Sequence, residues 1–427
     1  MDRRQMVPDC LTGAIMAIEG IRDAVAVLNG PTGCKFYHST MSEGQLHRDA
    51  SLDPLHHAQE FYFGQARVPC TYMDDHDYIY GSREKLEAIV DRVMERKPSL
   101  IAVINSPGAS LIGDDLELAV GGRRGSVPII TMETAGFSGN MAEGYRLASL
   151  KVLDRVPPFE ASRTRGTVNL LGISIWHKDW AGSVSEISRM LRLCGVRVNA
   201  VIGAGWSVDE IRSSASSQCN LVLHEEFAEG LIDAYRKLGV PTYRPSTGAP
   251  IGFAALEAWV REACSFIGAD PSPALEEISA MRRRAHREIA RLSSMTGLPK
   301  GATFSVHAEA SMMLPLTMFL HGHLGMVPVA LDPYPFGGAG PMERLERYLA
   351  THGLEDVLGE RVLDHRADVA FADGNTVAML DARGAIACGM ELYLPDPRLV
   401  RMTDPPLLGL GGTVRILERV LDALAYL

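Results

Sequence analysis

Three Rossmann-like α/β domains, each a parallel sheet of four to five strands flanked by helices, are what this chain of 427 residues predicts. Three observations lead there. The chain is too long for one ordinary domain, since compact units run about 100–200 residues. It repeats one grammar three times: a short β-branched run, a turn, then a helical stretch with one apolar face. Its strands are nearly continuous apolar runs, the pattern of parallel strands covered on both faces. The expected units are residues 1–160, 161–270 and 271–427.

In the first block, Leu11 to Glu19 reads as a helix and Ala24 to Leu28 as a strand stopped by Asn29-Gly30-Pro31. Ser82 opens a helix with Leu86, Ile89, Val90 and Val93 on one face. Ser99 to Ile104 and Val127 to Ile130 are the next strands. In the second block, Thr167 to Ile173 is a strand, Ser183 to Leu193 an amphipathic helix, and Gly195 its stop. Strands at Val196 to Ile202 and Asn220 to Leu223 follow, separated by the capping-box start Ser207-Val208-Asp209-Glu210. The third block has strands at Ala302 to Val306, Met326 to Leu331 and Asp368 to Phe371. It closes with a helix from Gly412, whose Val414, Leu417, Val420, Leu421 and Leu424 keep helical spacing. Linkers are expected near Pro157-Pro158 and around residues 265–300.

Composition narrows the function classes. Hydrophobic residues make up 46% and charged residues 22%, which excludes a disordered chain, a collagen-like fibre and a coiled coil. The net charge of −10 and scattered basic residues give no footprint for nucleic acid. Arg282-Arg283-Arg284 reads as a solvated helix face. No apolar run approaches the roughly 18 residues of a membrane span, and the first residues have no apolar signal core. A soluble, cytoplasmic chain is the expectation, with neither membrane nor nucleic acid as partner. Phosphate loops of the Gly-x-Gly-x-x-Gly and Walker types are missing, which argues against a nucleotide dehydrogenase.

Seven cysteines stand at 10, 34, 70, 194, 219, 264 and 388, with no Cys-x-x-Cys pair. Cys34 ends Asn29-Gly30-Pro31-Thr32-Gly33-Cys34, a tight turn directly after a predicted strand, where Gly33 lets backbone approach closely. Cys10 sits at the start of the first helix, where the dipole favours a thiolate. Soft thiolates suit iron–sulfur clusters, copper(I) or zinc, and two small buried apolar side chains are the plain alternative. Cys194, Cys219, Cys264 and Cys388 read as core. His47, His56 and His57 read as a surface or interface stretch, Asp74 to Asp77 as a turn, and Asp114-Asp115 as a helix N-cap.

Ile21 to Cys34 resembles the second cluster-cysteine segment of the nitrogenase component 1 family. Cys10 fits the family's first cluster cysteine, Leu111-Ile112-Gly113-Asp114-Asp115 its Ile-Gly-Asp-Asp element, and Arg401 to Gly412 the segment before its last helix. The resemblance implies an iron–sulfur cluster, [8Fe-7S] P-cluster-like or [4Fe-4S], at a subunit interface. It also implies a homologous α-type catalytic partner in a heterotetramer and an ATP-dependent iron protein as electron donor. Two departures matter. The window for the family's third cluster cysteine, Ser106-Pro107-Gly108, has none, leaving Cys70 as a substitute ligand or a spectator. Where an α-type chain has its cofactor cysteine, this sequence reads Leu223-His224-Glu225-Glu226, with Glu225 in the ligand position. The resemblance therefore implies a β-type subunit that relays electrons to a cofactor in its partner. Its compactness points to small-molecule reduction of the methylthio-alkane reductase kind. A tetrapyrrole-type reductase and a non-catalytic cofactor-assembly scaffold are the alternatives.

Overall fold

The computed structural model describes residues 8–46, 67–122, 127–133, 139–396, 398–399 and 402–425. The described residues form three sheets in which every strand pair is parallel. The first runs β1 (Ala24–Asn29), β2 (Leu100–Asn105), β3 (Ile129–Met132) in that order. The second contains β4 (Thr164–Leu171), β5 (Arg197–Ile202), β6 (Ser217–Val222) and β7 (Thr242–Tyr243), ordered β5-β4-β6-β7. The third contains β8 (Thr303–Ala308), β9 (Val327–Pro333), β10 (Val369–Ala372) and β11 (Cys388–Glu391), ordered β11-β10-β8-β9.

These strands form because their residues suit a surface buried on both sides. All six residues of β2 are buried, and Val27, Ile101 and Val103 face one apolar cluster while Leu28, Ala102 and Ile104 face another. The first sheet has three strands, short of the four to five expected. The place beyond β1 is taken by Pro69–Met73, where Leu28 donates to the Pro69 carbonyl (2.8 Å) and receives from Thr71 (3.1 Å). Proline supplies no N–H, so this pairing closes after a few bonds. The short β7 went unread in the sequence because Pro241 and Pro245 bracket it and confine it to an edge.

Two further differences concern helices. The segment expected to be a linker holds the 25-residue helix Ser272–Thr296. Its charge hid a sparse apolar stripe: Ala274, Ile278, Ala285 and Leu292 are buried. The last helix spans Gly409–Leu424 and is fastened to the helix Trp180–Leu193, where Ser183 Oγ accepts from Leu407 N (3.0 Å) and Glu186 Oε1 from Gly411 N (3.0 Å). Among the described residues no helix is long and apolar enough to cross a membrane.

Strand order decides where side chains converge. In the second sheet the chain leaves β4 for β5 on one side and returns to β6 on the other, so connections diverge between β4 and β6. In the third sheet the same reversal lies between β8 and β10. Crevices at such points, outside the carboxyl ends of the strands, are where open α/β sheets hold ligands.

The N-terminal helix Cys10–Glu19 is buried along its whole length. It crosses the helix Met141–Arg155 backbone to backbone at two glycines. A Cβ on Gly13 would stand 1.9 Å from the Met141 carbonyl oxygen, and one on Gly144 the same distance from that of Cys10. Gly144→Ala is expected to cost about 1–3 kcal/mol by forcing the helices apart. Urea denaturation followed by circular dichroism checks it; unchanged stability would show that the crossing yields easily.

Candidate functional site

The carboxyl end of β1 carries the predicted cysteine turn. Asn29 is fully buried there, and its Nδ2 donates to Asn105 Oδ1 on β2 (2.9 Å). Its Oδ1 accepts from Thr71 Oγ1 (2.9 Å) and Ser82 Oγ (2.7 Å), while Gly30 N donates to Thr71 Oγ1 (3.0 Å). One side chain thus ties the Gly30–Cys34 turn, the Cys70 segment and the entrance to the helix Arg83–Met94 together. Asp114, expected at a helix cap, joins this group instead by accepting from Ser82 N (2.9 Å) and Oγ (2.7 Å). Its neighbour Asp115 is the cap, accepting from Leu118 N (2.9 Å).

Cys34 lies in the first turn of the helix Thr32–Gln45, half-buried. Cys70 is buried beside the same turn, its Sγ donating to the Gly30 carbonyl (3.0 Å) and accepting from Tyr72 N (3.2 Å). Tyr72 adopts a left-handed φ of 52°, rare for a bulky residue, and this bend accompanies the N–H···S contact. Burial pushes both thiols up. For Cys34 the Asp9 carboxylate adds to the rise; for Cys70 the Tyr72 N–H and Lys35 oppose burial, and Cys34 adds to it. Burial, then both thiols, raise the Tyr78 hydroxyl.

Cys10 is fully buried at the start of its helix, directly after the N-cap Asp9, whose Oδ1 accepts from Thr12 N (2.9 Å). Its turn meets the Cys34 helix through His38, whose Nδ1 lies 2.6 Å from the Cys34 carbonyl and Nε2 3.4 Å from Thr12 Oγ1. The structure therefore groups Cys34 with Cys70 and sets Cys10 behind Asp9. Among the described residues the three sulfurs do not form a set within 4.8 Å, the reach of a single ion. A Cβ built on Gly33 meets no atom within 4 Å, so space lies open in front of that backbone.

Large apolar side chains surround this rim in the open: Phe36 (57% exposed), Tyr37, Tyr72, Tyr78, Ile79, Tyr80 (74%) and Leu111 (78%). Such a patch marks a contact surface. The remaining readings resolve simply. Lys85 sits 2.9 Å from Asp74 and 2.6 Å from Asp77, filling with its own ammonium the place a cation would take. Cys194, Cys219, Cys264 and Cys388 are buried. His47, His56, His57 and Phe61 to Phe63 lie outside the described residues, as does Arg401.

The sequence reading missed a second convergence. His177 follows β4, His224 follows β6 and Glu309 follows β8, and all three are buried together. Burial, then the neighbouring His177, lowers His224 to about 4. For Glu309 burial alone would raise the carboxyl, but contacts from His177 and His224 outweigh it and hold it low. Glu226 accepts from Ser311 N (2.9 Å) and Oγ, and burial followed by the Glu309 charge pushes it up. Glu225, the expected ligand position, pairs instead with Arg344. It is His224 that meets Glu309. The signal for it was available only as a histidine directly beyond a strand end.

Comparison with known proteins bears on the whole chain. A family model described as Nitrogenase component 1 type Oxidoreductase matches residues 10–424. The nitrogenase iron-molybdenum cofactor biosynthesis protein NifE of Clostridium pasteurianum is 24% identical over 49% of this chain and 43% of its own. The B-type polypeptide of the light-independent protochlorophyllide reductase of Synechococcus sp. (strain WH7803) is 25% identical over 72% of this chain and 59% of its own. The nitrogenase molybdenum-iron protein alpha chain of Clostridium pasteurianum is 23% identical over 58% and 42%. The matched region thus spans about half the length of these curated relatives. The solved structure "Nitrogenase Cp1 at pH 6.5" superposes with a TM-score of 0.74 at 15% identity, covering 99% of this chain and 94% of its own, which shows the shared fold.

Removing the Asn29 amide leaves Asn105 Oδ1 without its donor and takes one acceptor from each of the Thr71 and Ser82 hydroxyls. Asn29→Ala is expected to lower stability by about 2–3 kcal/mol. In the native wild-type protein one thiol of the rim, Cys34, should react with a disulfide reagent well before Cys70; in the variant Cys70 should follow closely. Equal protection of Cys70 in both proteins would show that the amide does not hold the rim.

Proposed function

Because the chain belongs to the nitrogenase component 1 type oxidoreductase family, we propose that it is the β-type subunit of a nitrogenase-like reductase. In this reading Cys34 and Cys70, with Cys10 behind them, hold an iron–sulfur cluster at a seam shared with a homologous α-type chain. An ATP-dependent iron protein supplies the electrons, and the catalytic cofactor sits in the partner. The observation that carries it is Cys70 held against the Gly30–Pro31 turn that leads into Cys34, on a rim of exposed aromatic and aliphatic side chains.

The donor set fits a cluster. Tyr72 N–H already points at the Cys70 sulfur (3.2 Å), and Pro31 gives the helix Thr32–Gln45, whose first turn holds Cys34, no side-chain cap. Lys35 favours the Cys70 thiolate. The open space before Gly33 admits close approach to backbone. A cluster bound there supplies one-electron transfer, tuned by such N–H···S contacts and by burial. The chain's own part is to hold the sulfurs, donate hydrogen bonds to them and exclude water. Phe36, Tyr37, Tyr78, Ile79 and Tyr80 would do the last once covered by a partner. The stretch after β6 offers His224 and Glu225, the latter locked to Arg344, where a cofactor-holding chain has a cysteine; this supports the β-type reading.

Two relatives favour neighbouring readings: the cofactor biosynthesis proteins a scaffold, and the protochlorophyllide reductase polypeptide a tetrapyrrole-type reductase. Turnover with the reductase partner, offering a methylthio-alkane and a protochlorophyllide in turn, separates them; a scaffold turns over neither.

Anaerobically purified with its partner, Cys34→Ala is expected to lose most iron and acid-labile sulfide while keeping its far-ultraviolet circular dichroism. Full retention of iron would refute the ligand assignment. Tyr80→Asp places a charge on the exposed rim and should weaken assembly at least tenfold in sedimentation velocity, leaving the isolated chain as stable as before.

A further inference from the structure

A cavity of about 430 Å³ runs between the helix Trp180–Leu193 and β5, the outer strand of the second sheet. The helix lines it with Ala181, Val184, Ser185, Ser188 and Arg192, which recur at helical spacing along one face. The strand lines it with the run from Arg197 to Val201, about 13 Å at roughly 3.3 Å per residue. The helix crosses back between two parallel strands, so its first turn lies toward the carboxyl end of β5. The two ends of the cavity therefore differ. Arg192 and Arg197 stand at one, on either side of the Gly195 turn, and Trp180, Gly205 and Trp206 stand at the other.

Charge is confined to the first end. Arg22 also lines the cavity, but it donates to the Gly205 carbonyl and pairs with Glu210 (2.9 Å), so its charge is balanced. Arg192 and Arg197 are exposed, and among the described residues neither has a carboxylate partner. Two uncompensated guanidinium groups thus flank one cavity in a chain of net charge −10. The helix dipole accounts for a base at Arg192, in the last helical turn, and gives no reason for Arg197 on the strand. The aromatic end is held firmly. Gly205 has a φ of 71°, a Cβ there would stand 2.5 Å from the Trp180 ring, and Trp180 Nε1 donates to the Gln45 carbonyl (2.7 Å). Pairing with a further strand is the other use of an outer strand, and a bulge opposes it. Val168 pairs with Val198 and Asn169 with Ala200, so Asn199 is an extra residue that bends β5 and breaks the row of backbone groups another strand would need.

We propose that this cavity binds a small amphipathic organic anion, a phosphomonoester whose head is held by Arg192 and Arg197 and whose aromatic body lies toward Trp180. Guanidinium forks match phosphate oxygens in pairs, and a phosphomonoester carries about −1.5 to −2 charges near neutral pH, which two guanidinium groups neutralise. Ser185, Ser188 and the bulged Asn199 offer neutral donors between the two ends. An aromatic body gains ring contacts at the tryptophan end. The volume lies in the range of about 300–1,000 Å³ in which small-molecule sites fall. The cavity shares no lining residue with the cysteine rim, and its failure leaves the iron assignment there untouched.

The test is isothermal titration calorimetry of the full chain with 1-naphthyl phosphate at low salt. The expected result is one equivalent bound per chain. Inorganic phosphate, which lacks the body, and 1-naphthol, which lacks the head, should each bind at least tenfold more weakly. Arg192→Gln combined with Arg197→Gln should weaken 1-naphthyl phosphate at least tenfold and leave the far-ultraviolet circular dichroism unchanged, since both side chains are exposed. Ser188→Phe, which fills the cavity midway along the helix face, should weaken it as much. Should the double variant fail to fold, Ser188→Phe and a sodium chloride series on the wild type decide, because an arginine-held head loosens as salt rises. Absence of saturable binding, 1-naphthol or inorganic phosphate binding as tightly as 1-naphthyl phosphate, or affinity indifferent to the substitutions or to salt overturns the site. The two arginines would then be solvated surface charges.

Discussion

The buried amide of Asn29 is the constraint on which the cysteine rim depends. Four polar groups from distant parts of the chain reach one side chain or its neighbour Gly30: Asn105, Thr71, Ser82 and, through Ser82, Asp114. Asn105 Oδ1 would lose its donor without it, and low surrounding polarity makes such a network worth more than its members taken singly. Because the Cys34 turn, the Cys70 segment and the helix Arg83–Met94 all hang from this point, these hydrogen bonds join the apolar packing of Cys70 and Cys34 in setting the relative position of the two sulfurs.

The second polar convergence obeys the same architectural logic by another route. Parallel strands deliver their following loops to one edge, and reversals of strand order open crevices there. His177 and His224 flank the reversal of the second sheet, and Glu309 follows the strand at the reversal of the third. Gly172, at φ +86°, makes this possible: a Cβ there would lie 2.0 Å from the His224 carbonyl oxygen. The contact is backbone against backbone, so only glycine lets the two loops approach.

Much of this was legible in the residues. The apolar strand runs, the capping box at Ser207 and the turn at Asn29-Gly30-Pro31 act over a few residues, and the structure has them where the pattern put them. What went unread was set by distant partners. The helix Ser272–Thr296 shows only a thin buried stripe under heavy charge, which periodicity weighs too lightly. Cys70 was ambiguous because its neighbour in space, the Cys34 turn, is far away in sequence. Glu225 drew attention as a carboxylate in the expected place, yet helix geometry turns it to Arg344 and leaves His224 to face inward.

By itself, then, the order of residues determined the α/β class and the three parallel sheets, because these rest on local periodicity and turn chemistry repeated along the chain, and its motifs carry the resemblance to the nitrogenase component 1 family that the family model bears out. Which side chains meet was decided only in three dimensions. Strand order places loops separated by many residues at one edge, and glycine contacts at Gly13, Gly144 and Gly172 set how closely they approach. Periodicity records which way a side chain faces, whereas the identity of what it faces belongs to the packed whole.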